Sequence, residues 1–416
     1  MENKKFKYEH IIDHITEGVN SGVISGGSRI PSLRSTANQF QCAISVVLQA
    51  YQELEINNVI RGVEKSGYFA LSPSYSKLPE PQHYKHKLES RRAVCHDFTG
   101  RIITMGTDTS IIPLGCATPS ETILPSARLK KNLTRLAKNR SSLLFSYSSP
   151  LGSYRLRQTI SNHMMRKKVI LPSEELCITN GCSEALFLAI SACSSPCDTI
   201  AIETPAYFGL LNLLQQLNRK VLEIPSCPTK GMDVMALEHK LKSSSVKACI
   251  FTANFQNPLG SVMNEESREM LLRLAKKYDF SLIEDDIYGD CSFDNKEKPC
   301  TKSIDHEERV IYCSSFSKTV CPGFRIGWVA GGRYHKKICE IKLATTLGSP
   351  VLLQEVMADF LYDGGYNFHI RKFRKKIGQQ VHSLRGYVED FFGKKVKITR
   401  PKGGYFLWIE LPEKIN

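Results

Sequence analysis

Early in the chain, apolar positions keep helical spacing twice and then change to the alternation of strands. Tyr8, Ile11, Ile12, Ile15 and Val19 share one face of a helix over 7–22, and Gly22, Gly26 and Gly27 break it. Residues 31–40 read as a short second helix with Pro31 and Ser32 near its start. Ile44, Val47, Leu48, Tyr51 and Leu54 then make a second amphipathic stripe. Residues 59–71 alternate around glycines and predict a β-hairpin. Three prolines within 73–81 mark a linker, and 83–92 has the composition of a short charged helix without a pattern that settles it. From Ile111 onward, short apolar runs alternate with longer helical ones, and strands are expected over 176–179, 199–203, 248–252, 281–283 and 310–313. Helices between strands imply an α/β fold with a mostly parallel sheet. The expected boundaries are 1–72 for the helical head, 73–110 for the linker and 111–416 for the α/β domain.

At 416 residues, 42% hydrophobic and 23% charged, the chain has globular composition and length enough for a large core plus a head. No apolar run reaches the length of a membrane span, and residues 1–7 lack the apolar stretch of a signal peptide, so a cytoplasmic protein without membrane contact is expected. Among fourteen cysteines only Cys193 and Cys197 approach a ligand pair, and no second pair completes a metal site, so reduced thiols are expected. The net charge of +15 suggests nucleic acid, but residues 1–71 hold seven basic and seven acidic side chains; the excess lies later, in 333–342, 371–376 and 394–402. Such runs are ordinarily solvated faces. Bulk charge is therefore weak evidence for DNA.

The chemistry concentrates in residues 314–328. Lys318 stands among small hydroxyl residues, Pro322-Gly323 follows, and Arg325 lies seven positions on. A lysine of depressed pKa forms Schiff bases readily, and an arginine fork grips phosphate bidentately; pyridoxal 5'-phosphate (PLP) needs both. Five other places agree. Gly181-Cys182-Ser183 follows a strand and opens a helix, which suits an anion. Tyr207 ends a strand with an aromatic able to stack on a flat ring, and Asn257 offers an amide to a ring hydroxyl. Asp285 and Tyr288 end a buried strand with a carboxylate and a phenol, and Tyr147 adds a phenol in a turn.

In order and spacing these motifs resemble the aspartate-aminotransferase fold (PLP fold type I) over 111–416. The resemblance implies that Lys318 carries the cofactor as a Schiff base and moves a proton, that Asp285 pairs with the ring nitrogen, and that Tyr288 and Asn257 bond the ring oxygen. It gives Tyr207 the ring face, and Ser315, Ser317, Arg325 and the Gly181-Cys182-Ser183 turn the phosphate. Tyr147 would reach the phosphate of a dimer partner. Ordinarily the fold continues past the position of Asn416 and supplies an arginine for a substrate carboxylate; with no counterpart here, transamination of ordinary α-amino acids is expected to be poor.

Three helices and a hairpin outline a winged helix-turn-helix, and 7–71 resembles the GntR-type DNA-binding domain through Ile30-Pro31-Ser32-Leu33-Arg34, Ala50-Tyr51-Gln52-Glu53-Leu54 and Ser66-Gly67-Tyr68-Phe69. It implies that Arg34, Ser45, Gln49 and Lys65 face double-stranded DNA. Where that family opens its recognition helix with Ser-Arg, this chain has Ala43-Ile44, a departure that removes a cap and a cation. Joined, the halves resemble the MocR group of regulators. The group implies a homodimer that binds DNA and PLP and senses an amino-acid-like effector by displacement of Lys318. An aminotransferase with a vestigial head is the alternative, and a chain that binds PLP but does neither is a third reading. The regulator comes first, because the missing arginine counts against turnover more than Ala43-Ile44 counts against DNA.

Overall fold

The computed structural model describes residues 6–57, 59–63, 66–71, 78–81, 88–94, 98–106, 108, 110, 112, 114–294 and 296–412. The chain divides into two compact units: Met1–Pro81 with Lys375–Ile398 and Ile409–Asn416, and Gln82–Arg374 with Thr399–Trp408.

The first unit opens with α1 (Lys7–Asn20), α2 (Leu33–Gln39) and α3 (Ile44–Ile56), followed by the antiparallel hairpin of β1 (Ile60–Val63) and β2 (Gly67–Ala70). One core joins them: Ile11, Ile15 and Val19 of α1 pack with Val47, Ala50, Tyr51 and Leu54 of α3, and Ile60 and Ala70 close it from the hairpin. Tyr51 is fully buried, and its hydroxyl, 2.7 Å from Thr36 Oγ1, donates to the Pro31 carbonyl at 2.8 Å. A buried phenol needs such a partner, and here it pins the chain into α2. Ser32 caps α2 by accepting the Ser35 N–H at 3.2 Å. No side chain caps α3, whose N-cap is Ala43 in extended geometry. At the other end of α3, Glu55 accepts the Gly62 N–H and the Lys375 ammonium, each at 2.9 Å.

In the second unit the described strands form one sheet. In chain order they are β3 (Ser90–Arg92), β4 (Leu176–Thr179), β5 (Thr199–Thr204), β6 (Lys220–Cys227), β7 (Gly231–Met232), β8 (Ala248–Phe251), β9 (Ser281–Asp285), β10 (Val310–Ser315) and β11 (Gly327–Ala330). The spatial order is β3-β6-β5-β8-β9-β10-β11-β4, with β7 paired to β6. Pairs β6–β5, β5–β8, β8–β9 and β9–β10 are parallel; β3–β6, β10–β11 and β11–β4 are antiparallel. The helices are α4 (Phe98–Met105), α5 (Ser126–Asn139), α6 (Tyr154–Met164), α7 (Cys182–Cys193), α8 (Phe208–Gln216), α9 (Val234–Leu241), α10 (Glu265–Lys277), α11 (His335–Thr345) and α12 (Val351–Tyr362). α13 (Gly365–Phe392) contributes to both units, and β12 (Lys397–Ile398) pairs with β13 (Ile409–Glu410) in the first. Among the described residues no helix is long and apolar enough to cross a membrane.

The two-residue period of the strands sorts the core. Ile200, Ile202, Ala248 and Ile250 face α7 and α11, while Ala201, Leu222, Cys249 and Phe251 face α9 and α10. Helices on both faces explain why β8 and β10 are buried at every position, the mark of an interior parallel sheet. The region read as a possible charged helix corrects to a strand where it is described. Residues 83–87 lie outside the described residues, and Ser90–Arg92 pairs with the edge of β6, Arg91 forking onto Glu223 at 2.8 and 2.9 Å. An open sheet edge offers three residues a ladder that their charge pattern does not reveal.

Two consequences can be measured. Glu203, at the end of β5, is buried; one carboxylate oxygen accepts the Thr252 N–H at 2.9 Å and the other has no hydrogen-bond partner among the described residues. Burial pushes its pKa up to about 8. The folded state therefore keeps a proton that the unfolded chain loses near pH 4–5, and stability falls as pH rises toward 8. Glu203→Gln should match the parent at pH 5 and exceed it by a few kcal/mol, on the order of one per pKa unit, at pH 9; denaturant unfolding at both pH values checks this. Ala43→Ser should supply the missing cap and stabilise α3 by about 1 kcal/mol, read as roughly fivefold slower amide exchange in its first turn.

Candidate functional site

The carboxyl ends of β5, β9 and β10 deliver residues to one side of the sheet, where open α/β folds bind ligands. β4 turns into α7 through Gly181, whose φ of 81° lies in the left-handed region. A Cβ there would fall 2.4 Å from Arg325 Nη2, so the guanidinium lies directly on this turn and only glycine leaves room. Arg325 donates to Ser317 Oγ at 3.2 Å and to the Asn180 carbonyl at 3.1 Å. Ser315 closes the corner: its Oγ accepts the Ser317 N–H at 3.0 Å and lies 2.8 Å from Ser317 Oγ and 2.9 Å from the Ile326 carbonyl. Ser183, in the first turn of α7, is exposed. A guanidinium, hydroxyls and a helix N-terminus at one corner suit a phosphate dianion. From behind, Glu184 accepts the Asn180 N–H and is held by Lys342 of α11 at 3.3 Å and Thr346 at 2.7 Å.

Lys318 ends the short helical turn after β10, and its ammonium donates to the Ala117 carbonyl at 2.9 Å. Burial first, then the charge of Arg325, holds its pKa below the ordinary lysine range. This favours the free amine that carbonyl chemistry requires. Asp285, the last residue of β9, accepts the Cys182 thiol at 3.3 Å and the Ile287 N–H at 3.2 Å. Burial pushes its carboxyl up to about 6, with the Cys182 and Ile287 hydrogen bonds working the other way. A cationic ring nitrogen at Asp285 would favour its ionised form. Tyr288 is buried and edge-on to Tyr405 and Phe406 at 5.5 and 4.9 Å between ring centres, and Asn257 works against the rise that burial gives its phenol pKa. Tyr207 follows β5, and burial, then the negative charge of Asp285, raises its phenol pKa.

Eleven of the twelve cofactor positions expected from sequence thus line or adjoin this region; Tyr147 instead stands out from the surface, 92% exposed. The Cys182 side chain turns to Asp285, while its backbone stays in the first turn of α7 where the anion was expected. Sequence reasoning missed the Ala117 carbonyl and Tyr405, whose hydroxyl donates to the Lys318 carbonyl at 3.2 Å. Gly403-Gly404 was the available signal for Tyr405: a Cβ at 403 would meet Phe255 at 2.4 Å, and Gly404 has φ of 69°. The residues present fit PLP: the glycine-walled corner closed by Arg325 would take the phosphate, Lys318 would meet the aldehyde and Asp285 the ring nitrogen. In the first unit Arg34, Ser45 and Gln49 are all exposed, with Ser45 and Gln49 on α3 and Arg34 on α2. Lys65 lies outside the described residues.

The model of the aminotransferase class I and II family matches residues 111–415. Over 410 residues, 99% of this chain and 87% of the relative, the sequence is 33% identical to the uncharacterized HTH-type transcriptional regulator YjiR of Escherichia coli K12. A second such regulator of that strain, YdcR, is 32% identical over 99% of this chain and 87% of its own length. Among solved structures, Pyrococcus horikoshii kynurenine aminotransferase in complex with PMP aligns at a TM-score of 0.71 and 31% identity, covering 77% of this chain and 80% of that one. The chain belongs to the aminotransferase class I and II family, as a MocR-type member in which that domain follows a helix-turn-helix head.

Proposed function

We propose that the protein is a DNA-binding transcriptional regulator whose aminotransferase-like domain holds PLP and responds to a small amino compound. The observation that carries the reading is one chain with both a three-helix head bearing a hairpin and a pocket where Lys318, Asp285 and Arg325 converge. When bound, PLP supplies an aldehyde that condenses reversibly with primary amines and a ring that withdraws electrons. Arg325, Ser315, Ser317 and the Gly181-Cys182-Ser183 turn hold its phosphate, and Asp285 faces the ring nitrogen with Cys182 orienting the carboxylate. Tyr288 and Asn257 serve the ring oxygen, and Tyr207 its face. Lys318 contributes an amine of lowered basicity, so the effector class is a primary amine able to exchange with it. A homodimer accords with Leu144, Phe145 and Tyr147, large side chains exposed by 54, 86 and 92%. Within the head, Ser45 and Gln49 of α3 face the major groove and Arg34 a phosphate.

One observation favours the second reading, an aminotransferase with a vestigial head. α3 carries no lysine or arginine and starts at an uncapped Ala43. DNA affinity must then draw its phosphate contacts from outside α3, which a salt titration measures.

Two experiments separate the readings. Borohydride treatment of PLP-loaded protein should fix the cofactor on the peptide containing Lys318, and Lys318→Ala should abolish this and the effector response. Its effector-free DNA affinity should stay within about twofold, well under the tenfold that 1.4 kcal/mol would make. Identical absorbance spectra for Lys318→Ala and parent would remove the cofactor assignment. With genomic fragments selected at near-physiological salt, Arg34→Ala should weaken binding evenly across sequences and lower the slope of log affinity against log salt by about 1. An unchanged slope, together with measurable transamination, would favour the enzyme.

A further inference from the structure

The hairpin of the first unit is wider than its two strands. The Ile30 N–H donates to the Tyr68 carbonyl at 2.9 Å and the Ala70 N–H to the Ser28 carbonyl at 2.8 Å, so residues 28–30 lie along β2 as a third, antiparallel edge. In this ribbon Phe69 stands opposite Arg61 on one side and Arg29 on the other. Directly opposed residues of a sheet share a face, so the three side chains form one row, Arg29–Phe69–Arg61. The other face carries Ile30, Ile60, Tyr68 and Ala70 and packs on the core of the head, which turns the row outward. Both arginines are exposed and Phe69 is half-buried. The Arg29 side chain runs along the outer face toward the hairpin turn: a Cβ at Gly67 would stand 3.2 Å from its Nε and Nη2. No hydrogen bond or ion pair ties either guanidinium among the described residues. The balanced charge of the head is thus unevenly spread. Glu9, Asp13 and Glu17 recur every fourth residue on α1, and α3 has no cation; Arg29 and Arg61 stand on the ribbon.

We propose that the outward Arg29–Phe69–Arg61 row is the head's anchor on the sugar–phosphate backbone of double-stranded DNA, an inference that rests on the DNA-binding reading above and deepens it. Opposed Cβ atoms lie about 5 Å apart across each strand pair, which sets the two arginines roughly 10 Å apart. From there the guanidiniums reach separate phosphates, along one strand or on the two sides of a minor groove about 6 Å wide, and Phe69 lies between them against the sugars. Phosphate contacts fix position and carry no sequence information. The ribbon therefore holds the duplex, and Ser45 and Gln49 of α3 read bases without a cation of their own. This division of labour lets α3 serve with Ala43-Ile44 at its start. Two contacts here and one at Arg34 keep the salt dependence shallow, at about −0.9 in slope for each.

The intact, PLP-loaded protein tests this with a short random-sequence duplex titrated with salt. Arg29→Ala combined with Arg61→Ala should lower the slope of log affinity against log salt by about 2. Arg29→Lys combined with Arg61→Lys should keep the parent slope, because a phosphate accepts either cation. On the unaltered chain, phenylglyoxal followed by peptide mass mapping should label Arg29 and Arg61 severalfold more slowly once the duplex is bound, measured against Arg273 of α10. If bound duplex leaves the labelling of Arg29 and Arg61 unchanged, or the double alanine variant keeps the parent slope, the row is not the anchor and the DNA-binding reading still stands. A parent that retains no duplex even at low salt overturns both. The labelling uses the unaltered chain and does not depend on how a variant folds.

Discussion

Three consecutive acids at the end of β9 set the terms for the second unit. Glu284, Asp285 and Asp286 leave a buried strand on alternate sides, and a buried carboxylate persists only where charge or hydrogen bonds compensate it. Glu284 takes the Thr301 and Lys302 N–H groups at 2.7 and 2.9 Å, which anchors the following loop. Asp286 receives the buried Lys167 ammonium at 2.6 Å and the Tyr312 hydroxyl at 2.7 Å. Lys167 also reaches Asp290 at 3.0 Å, and Asp290 is hydrogen-bonded to His163 at 3.0 Å and to Tyr366. Burial works against the charges of Lys167 and Asp290, yet the pairing raises the lysine pKa and lowers that of the acid. Glu284 is thus satisfied by backbone donors and Asp286 by a lysine and a phenol, and Asp285 is the one that adjoins the pocket.

That asymmetry links packing to chemistry. Glu284 ties the end of β9 to the loop at 301–302 and Asp286 ties it to Lys167, just past α6, while Asp290 joins the following chain to His163 of α6 and Tyr366 of α13. The middle one is oriented only by a thiol and one backbone N–H, which leaves its charge available for a bound cation. On the other side of the pocket, the Arg325–Gly181 contact fixes the distance between the β4–α7 turn and the chain after β10. Lys318 sits between these two fixed points.

Much of this was legible in the sequence. The apolar runs at 176–179 and 310–313 read as candidate strands and form buried ones, and Lys318 with Arg325 in one segment announced carbonyl and phosphate chemistry. What the sequence withheld were contacts between distant positions. Nothing near Cys182 points to Asp285, and nothing near Tyr405 points to the Lys318 carbonyl; the fold alone makes those pairs. Ser90–Arg92 carries charge and no strand pattern, because its conformation is dictated by the open edge of β6.

The head of balanced charge has a consequence for where molecules of this kind spend their time. Regulators with strongly basic heads are mostly parked on random genomic sequence, which acts as a reservoir and a track for one-dimensional search. Residues 1–71 sum to zero formal charge, and α3 has no cation to hold such a reservoir. Copies would be partitioned largely into free solution, arrive at their sites by three-dimensional diffusion, and depend on base contacts for residence. Occupancy would then follow protein concentration closely, with little buffering by the bulk chromosome.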